Sequence, residues 1–421
     1  MPQLKILIIA DTLDEQASSG GKASMALVKG FVEQGYKIKV YHYSRKELEI
    51  EGIQLISICE KRSTLSYIKA KSQLLFQRWT GKNINSWIEC RKGFSYTHDY
   101  DVESIKYAVN QESPENYDYI LTLSYASSFR AHKAILQIPH WHKKLLSYVH
   151  DPYPMHSYPR PYDWVEPGHQ FKRDFFIDLF EKSAHILYPS KLLAAWMESY
   201  YPTGKGKSVV LPHLMIDGLK NTGDYPQYYH PDNFNLLHAG SLMSARNPMG
   251  VVEAFTLFLK ENPTALQEAN LVIVGGASVF HTELEGIANE LPQLTLSPGK
   301  EDFQRTYNMQ QQAAVNIVLE AKGPTSPFLP GKVSHCIAAD KPILLLGPYY
   351  SETRRLLGND YLYWAEIDDV EKIKNYILCL YNDWKKDRTT AVLNRPDLME
   401  YFSSRSICKV FEHIKSEQIN D

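Results

Sequence analysis

Phe234-Asn235-Leu236-Leu237-His238-Ala239-Gly240-Ser241-Leu242 is a strand-length segment closed by a glycine turn, and its reading decides the fold. Upstream, from Thr203 to Asn233, the chain is polar and punctuated by Gly204, Gly206, Pro212, Gly218, Gly223, Pro226 and Pro231, the composition of a connection between domains. Downstream come a helical pattern over Met249 to Lys260 and an apolar run, Leu271 to Val274, that stops at Gly275-Gly276. Strand, turn, helix and strand in that order begin a parallel α/β sheet. Working outward, the chain has already begun one such sheet. Leu4 to Ala10 reads as a strand buried on both faces, Gly20-Gly21 leads into a helix near Ala23 to Gln34, and Lys37 to Tyr43 is the next strand. Further strands are expected at Ile53 to Ile58, Tyr119 to Ser124, Leu145 to His150, His185 to Pro189, Val209 to Pro212, Leu294 to Leu296, Val315 to Leu319 and Ile343 to Leu346.

The expected architecture is therefore α/β, with two Rossmann-like domains facing a cleft. The boundaries read as 1–210 for the first domain, 211–233 for a linker, 234–396 for the second domain and 397–421 for a C-terminal helix. In that last segment Phe402, Ile407, Val410, Phe411 and Ile414 share one face, as in a helix that clasps the domains. The length of 421 residues and the 44% hydrophobic content suffice for two cores.

Composition excludes several classes. A net charge of −2 provides no basic field for nucleic acid. Five scattered cysteines without a CxxC pair indicate reduced thiols, neither a disulfide frame nor a zinc site. No run approaches the roughly 20 apolar residues of a membrane span, and Met1 to Leu13 lacks the pattern of a signal peptide, so the expected location is the cytoplasm, at most at the inner face of the membrane. Lys61 to Lys82 holds six basic residues and an apolar helical stripe, Leu65, Ile68, Leu75 and Trp79. That pattern belongs either to a helix lying on an anionic membrane, near a lipid-linked acceptor, or to a surface helix packing its apolar face inward.

In doubly wound sheets ligands bind beyond the carboxyl ends of the strands, which selects four loops. Gly240-Ser241 with Arg246 offers backbone N–H groups and a guanidinium to a phosphate. Ser326 to Lys332, including Leu329, Pro330 and Gly331, precedes a helix and puts Lys332 in its first turn, where a cation is explained by a bound anion. His150-Asp151 ends a strand and suits a sugar hydroxyl. Ser18-Ser19-Gly20-Gly21 opens a helix and suits an acceptor or phosphate oxygen. Asp99-Tyr100-Asp101 imitates a paired-carboxylate cation site, but Asp101 equally suits a helix cap before Val102. His140-Trp141-His142 has no third ligand at metal spacing.

Taken together these residues resemble a retaining glycosyltransferase of the group 1, or family 4, kind with the GT-B fold. Gly20-Gly21 resembles its first-loop glycine pair, and Val149-His150-Asp151 its strand-end histidine. Leu187-Tyr188-Pro189-Ser190-Lys191 and Val210-Leu211-Pro212-His213 resemble two further landmarks. Gly240-Ser241-Leu242 through Arg246-Asn247-Pro248 resembles its phosphate-binding segment, with Ser241 where the family often has arginine. Ser326 to Pro342 resembles the donor-site helix, but Pro327 and His335 stand where many relatives have glutamates. The resemblance implies a donor site of Gly240, Ser241, Arg246, Gly275, Ser326, Leu329, Pro330, Gly331, Lys332 and His335, with catalytic roles for His150, Arg246 and Lys332. It also implies transfer from a nucleotide sugar to a glycan or lipid-linked acceptor with retention, without metal or cofactor. Two other functions fit the same scaffold, a sugar-nucleotide epimerase or phosphorylase and a non-catalytic nucleotide-sugar-binding protein.

Overall fold

The computed structural model describes residues 4–14, 19–44, 47–124, 128–158, 163–216, 218–275, 279–388 and 392–420, with residues 19 and 418–420 described by backbone alone. Its contacts divide the chain into two compact units, residues 1–214 with 403–421, and residues 215–402.

The first unit runs β1 (Lys5–Ala10), α1 (Ser19–Glu33), β2 (Lys37–His42), β3 (Gln54–Ser57), α2 (Leu65–Thr80), α3 (Asn85–Lys92), α4 (Tyr96–Val109), β4 (Tyr119–Leu123), α5 (Arg130–Leu136), β5 (Leu145–Tyr148), α6 (His169–Lys182), β6 (His185–Tyr188), α7 (Lys191–Tyr200) and β7 (Ser208–Val210). Its sheet is parallel in the order β3-β2-β1-β4-β5-β6-β7. Ile6, Ile8, Ile120 and Leu121 are fully buried. Such strands show no alternation because helices cover both faces.

The second unit runs β8 (Phe234–Ala239), α8 (Met249–Glu261), β9 (Ala269–Val274), α9 (His281–Glu290), β10 (Leu294–Leu296), α10 (Phe303–Gln312), β11 (Val315–Leu319), β12 (Thr325–Ser326), α11 (Lys332–Ala338), β13 (Ile343–Leu346), β14 (Tyr350–Ser351), α12 (Glu352–Leu357), β15 (Trp364–Ala365), α13 (Val370–Lys386) and α14 (Pro396–Tyr401). Its main sheet is parallel in the order β10-β9-β8-β11-β13-β15, and β12 pairs with β14 separately. In each unit the order reverses beside the first strand, between β1 and β4 and between β8 and β11, which places a ligand crevice at those strand ends.

The ends of the second unit differ from the sequence expectation. Tyr225, Tyr228 and Tyr229 of the expected linker pack with Leu237, Val272 and Met309, so much of that segment belongs to the second unit. The expected C-terminal helix is two helices, α14 and α15 (Arg405–Asn420). Phe402 lies in the second unit's core with Leu398 and Val333, whereas the ring of Phe411 packs against Phe31, Tyr36 and Tyr119 of the first unit. One apolar stripe thus serves two cores, and the helix breaks where it changes from one to the other. Gly30 permits α15 to approach α1, since a Cβ there would lie 2.8 Å from Leu214 Cδ1 and 3.0 Å from Ile407 Cδ1.

Candidate functional site

Buried strand β8 delivers His238 to the carboxyl edge of the second sheet, and the chain turns at Gly240 with φ +146. A side chain at Gly240 would stand 3.5 Å from Lys332 Nζ. Glycine is required here by backbone conformation, since that distance is an ordinary contact. The neighbouring turn after β9 is far tighter, because a Cβ on Gly275 would lie 2.4 Å from the Gly240 carbonyl oxygen. Gly275 N–H donates to Ser297 Oγ, so Gly275 lets the two turns touch and offers no free donor to a ligand.

Lys332 opens α11, and its Nζ lies 3.1 Å from Nδ1 and 3.4 Å from Nε2 of His238. Near-equal distances put the ammonium against the ring as a whole, not in line with one lone pair. Burial, and then the charge of Arg246, lower the Lys332 pKa to about 7, while Cys336 and Glu320 oppose the shift. Burial, then Lys332 and Arg246, hold His238 neutral, with a pKa well below its usual value. Arg246 sits in the β8–α8 turn, where its N–H donates to the Met243 carbonyl. Among the described residues no carboxylate forms an ion pair with Arg246 or Lys332. Two cations that share one end of a sheet without an ion-paired carboxylate are suited to hold an anion.

One acid does lie close, and the sequence reading passed over it. Glu320 follows the last residue of β11 and is 1% exposed. Neither of its carboxyl oxygens reaches hydrogen-bond geometry, although the hydroxyls of Thr353, Ser326 and Ser351 surround it. Burial raises its pKa against the pull of those hydroxyls and of Arg246. Burial thus biases it toward the neutral form, in which it opposes the two cations less. The available signal was its position, an acid at the end of the expected strand Val315 to Leu319, where strand-end chemistry is expected.

The other expected donor residues divide into two groups. Ser326, in β12, reaches the site beside Glu320. Ser241 is exposed at the turn, while Pro330 and Gly331 form the corner that starts α11, with Val333 N–H donating to the Pro330 carbonyl. Leu329, by contrast, is buried with Val318 and Val333 in the core, because an apolar side chain next to an all-apolar strand packs inward. His335 is also turned away from Lys332, its ring 5.4 Å from Phe303 and 6.2 Å from Tyr307. Since α11 spans only seven residues, its dipole is short, and the side-chain charges carry the attraction for an anion.

In the first unit, β5 carries His150 to the corresponding edge. Its Nδ1 is 3.3 Å from His213 Nε2, the two rings stack 5.5 Å apart, and Nε2 is buried without a hydrogen-bond partner. Burial, then His213 and His132, hold it neutral, well below the usual histidine range. Asp151 follows it, half-buried. Gly20 and Gly21 lie inside the first turn of α1 instead of in a loop before it, and Ser18 is outside the described residues. First-turn N–H groups still lack intrahelical acceptors, so the correction moves the donors without removing them.

The paired-carboxylate reading of Asp99-Tyr100-Asp101 fails on geometry. Ser95 caps α4, so Asp101 lies within the helix, not at its cap. Arg130 Nε is 2.9 Å from Asp101, while Lys133 and Lys92 hold Asp99. Among the described residues no group of three His, Cys, Asp or Glu side chains is placed to hold a metal ion.

With this geometry in place, comparison with solved structures gives the fold its class: two parallel α/β units in one chain, the GT-B fold. A glycosyltransferase from Rickettsia africae matches with TM-score 0.62 and 13% identity over 98% of this chain and 99% of the other. A UDP-forming α,α-trehalose-phosphate synthase from Burkholderia xenovorans, in complex with glucose-6-phosphate, matches with TM-score 0.64 and 10% identity over 98% and 100%. A trehalose-6-phosphate protein from E. coli bound with UDP-2-fluoro glucose matches with TM-score 0.56 and 10% identity over 99% and 98%. No protein-family model matches the chain, and no curated protein matches it by sequence.

Proposed function

We propose that this chain moves a glycosyl group from a nucleoside-diphosphate sugar to a hydroxyl of a glycan or lipid-linked acceptor, with retention of configuration. The observation that carries this reading is the pair Arg246 and Lys332, two cations without counter-charge at the switch point of the second sheet. In the reaction the bond from the anomeric carbon to the diphosphate oxygen breaks. The acceptor oxygen bonds to that carbon from the same face, and its proton passes to the departing phosphate oxygen. Charge grows on the leaving group, so a fixed guanidinium and ammonium lower the barrier more than they stabilise bound substrate; the Gly240 N–H, bonded to the Val274 carbonyl, takes no part.

His150 is proposed to accept or donate a hydrogen bond to a sugar hydroxyl through its unpartnered Nε2. Being neutral, it does this without titrating in the physiological range. Five free cysteines support a reducing compartment such as the cytoplasm. Because one neighbour holds UDP-2-fluoro glucose and another glucose-6-phosphate, uridine nucleotides and sugar phosphates are the first compounds to try.

A thermal-shift screen of UDP, GDP, ADP and their sugars tests the assignment. At least one nucleoside diphosphate should raise the unfolding midpoint, as a ligand that binds only the folded state must. No shift with any of them at millimolar concentration would remove the site. With the donor so identified, His150→Ala should lower turnover and leave the nucleotide shift in place. Wild-type turnover in that variant would exclude His150.

A further inference from the structure

Helix α2 turns Ala70, Gln73 and Gln77 inward and its large aliphatic side chains outward. On the inner face Gln73 donates to Asn85 and accepts the Tyr96 N–H, Gln77 donates to Asn83 and Asn85, and Tyr67 meets the ring of Tyr100 at 5.4 Å. On the outer face Leu65 is 76%, Ile68 59%, Leu75 52% and Trp79 92% exposed. Those positions lie on one stripe of a helix with 3.6 residues per turn. The helix is held in this orientation at both ends, by the Thr64 side chain accepting the Tyr67 N–H and by left-handed Gly81. A helix that merely covered its own domain would be turned half a revolution, with the leucines inside. The hydrogen bonds of Gln73 and Gln77 prevent that.

An exposed apolar ridge in a protein with ample core needs an occupant, and the charges indicate which one. Lys71 and Arg78 flank the stripe on one side and Lys69 on the other, with Lys82 just beyond the helix end. No acid occurs from Lys61 to Lys82, and among the described residues no carboxylate pairs with these four cations. Two copies meeting through this face would oppose like charges. A ridge, unlike a groove, offers no enclosed seat to a peptide. Apolar residues flanked by lysines and arginines fit a bilayer, where side chains enter the acyl boundary and cations remain at lipid phosphates. No described helix is long and apolar enough to cross a membrane, so the contact is superficial. On the next helix Trp87 is also exposed, with the Arg91 guanidinium 3.8 Å from its ring centroid, a pairing suited to headgroup level.

We propose that α2 seats this protein on an anionic lipid surface, with Leu65, Ile68, Leu75 and Trp79 inserted and Lys69, Lys71, Arg78 and Lys82 at the headgroups. This goes beyond glycosyl transfer and does not depend on it.

The full-length chain is sedimented with phosphatidylcholine vesicles, with and without phosphatidylglycerol, at low salt and at about 1 M salt. Wild-type protein should pellet with the anionic vesicles at low salt and be released by high salt. Leu75→Ser with Trp79→Ser, and separately Lys69→Glu with Lys71→Glu, should each weaken partitioning by about tenfold or more. Both variants should keep the wild-type unfolding midpoint, because the replaced side chains lie in solvent. Wild-type protein that stays in the supernatant overturns the proposal, as does a Leu75/Trp79 variant that pellets like wild type. A wild-type dimer that the same variant dissolves, without any vesicle binding, would assign the ridge to self-association instead.

Discussion

The two units place cations at the same topological position and treat them in opposite ways. Beyond β4, the strand beside the first unit's switch point, α5 begins with Arg130 and carries Lys133 one turn later. Arg130 faces buried Asp101, and Lys133 lies 2.8 Å from Asp99. Burial would raise the Asp99 pKa, but the ammonium groups of Lys133 and Lys92 outweigh it and hold the carboxyl below its usual value. Beyond β11, the corresponding strand of the second unit, Lys332 stands against a neutral histidine and near a carboxyl that burial biases toward its neutral form. The same fold position is a closed ion-pair cluster in one unit and a pair of cations without an ion-paired carboxylate in the other. A cation beyond a strand end therefore indicates a ligand only when its counter-charge is missing.

The largest expected effect breaks the closed side. Asp101→Ala leaves Arg130 without its carboxylate in a mostly buried place and removes the acceptor of the Tyr43 hydroxyl. Denaturant unfolding should show a loss of about 3 kcal/mol, with nucleoside diphosphate affinity unchanged. On the open side the same kind of truncation should do the reverse. Lys332→Ala removes a half-buried group that no carboxylate pairs, so stability should change by less than about 1 kcal/mol. Nucleoside diphosphate affinity, read by calorimetry, should fall by about 30- to 100-fold, the scale of a charged hydrogen bond. A destabilised Lys332→Ala with unaltered affinity would make the two clusters alike and end the comparison.

A smaller effect follows from proton linkage. With a pKa of about 7, Lys332 is partly neutral at physiological pH, and a bound phosphate must draw it back to the ammonium form. The complex then holds more protons than the free protein, so affinity decreases as pH rises above about 7, by up to tenfold per unit. Below that the phosphate itself loses charge near pH ~6, so affinity should peak between the two values. The groups facing Lys332 are His238, which stays neutral, Arg246, Cys336, whose pKa burial raises to about 11, and Glu320. Lys332→Arg, charged throughout, should flatten the fall above pH 7. A fall that persists in that variant would assign the proton to another group.

The sheets were legible because parallel strands are written as local, mostly apolar runs. Phe234 to Ala239, Val315 to Leu319 and Ile343 to Leu346 end where those runs end. Strand ends in turn located Gly240, Arg246, Lys332 and His150. Direction was not legible. The stripe on α2 is plain in the sequence, but its outward orientation depends on Gln73 and Gln77 finding Asn85 and Tyr96, partners set by α3 and α4. Leu329 and His335 lie in the right segment and face the core and α10, since their environments come from distant residues. Asp99 and Asp101 resembled a cation site because the cations opposing them, Lys133 and Arg130, lie on another helix.

The finest test concerns Glu320, because the contrast between the units depends on its charge. If the carboxyl is neutral in the free protein, Glu320→Gln replaces one neutral group by another of the same shape. Nucleoside diphosphate affinity at pH 7 should then change by no more than about twofold. If the carboxyl is ionised, it opposes a bound phosphate at close range, and its removal should strengthen binding by tenfold or more. Calorimetry distinguishes the two cases, and the pH series in the same variant adds a second readout. A fall above pH 7 that survives Glu320→Gln belongs to Lys332, whereas one that disappears belongs to Glu320. In the latter case the second unit would hold an ion pair after all, one that opens only when an anion takes the place of the carboxylate.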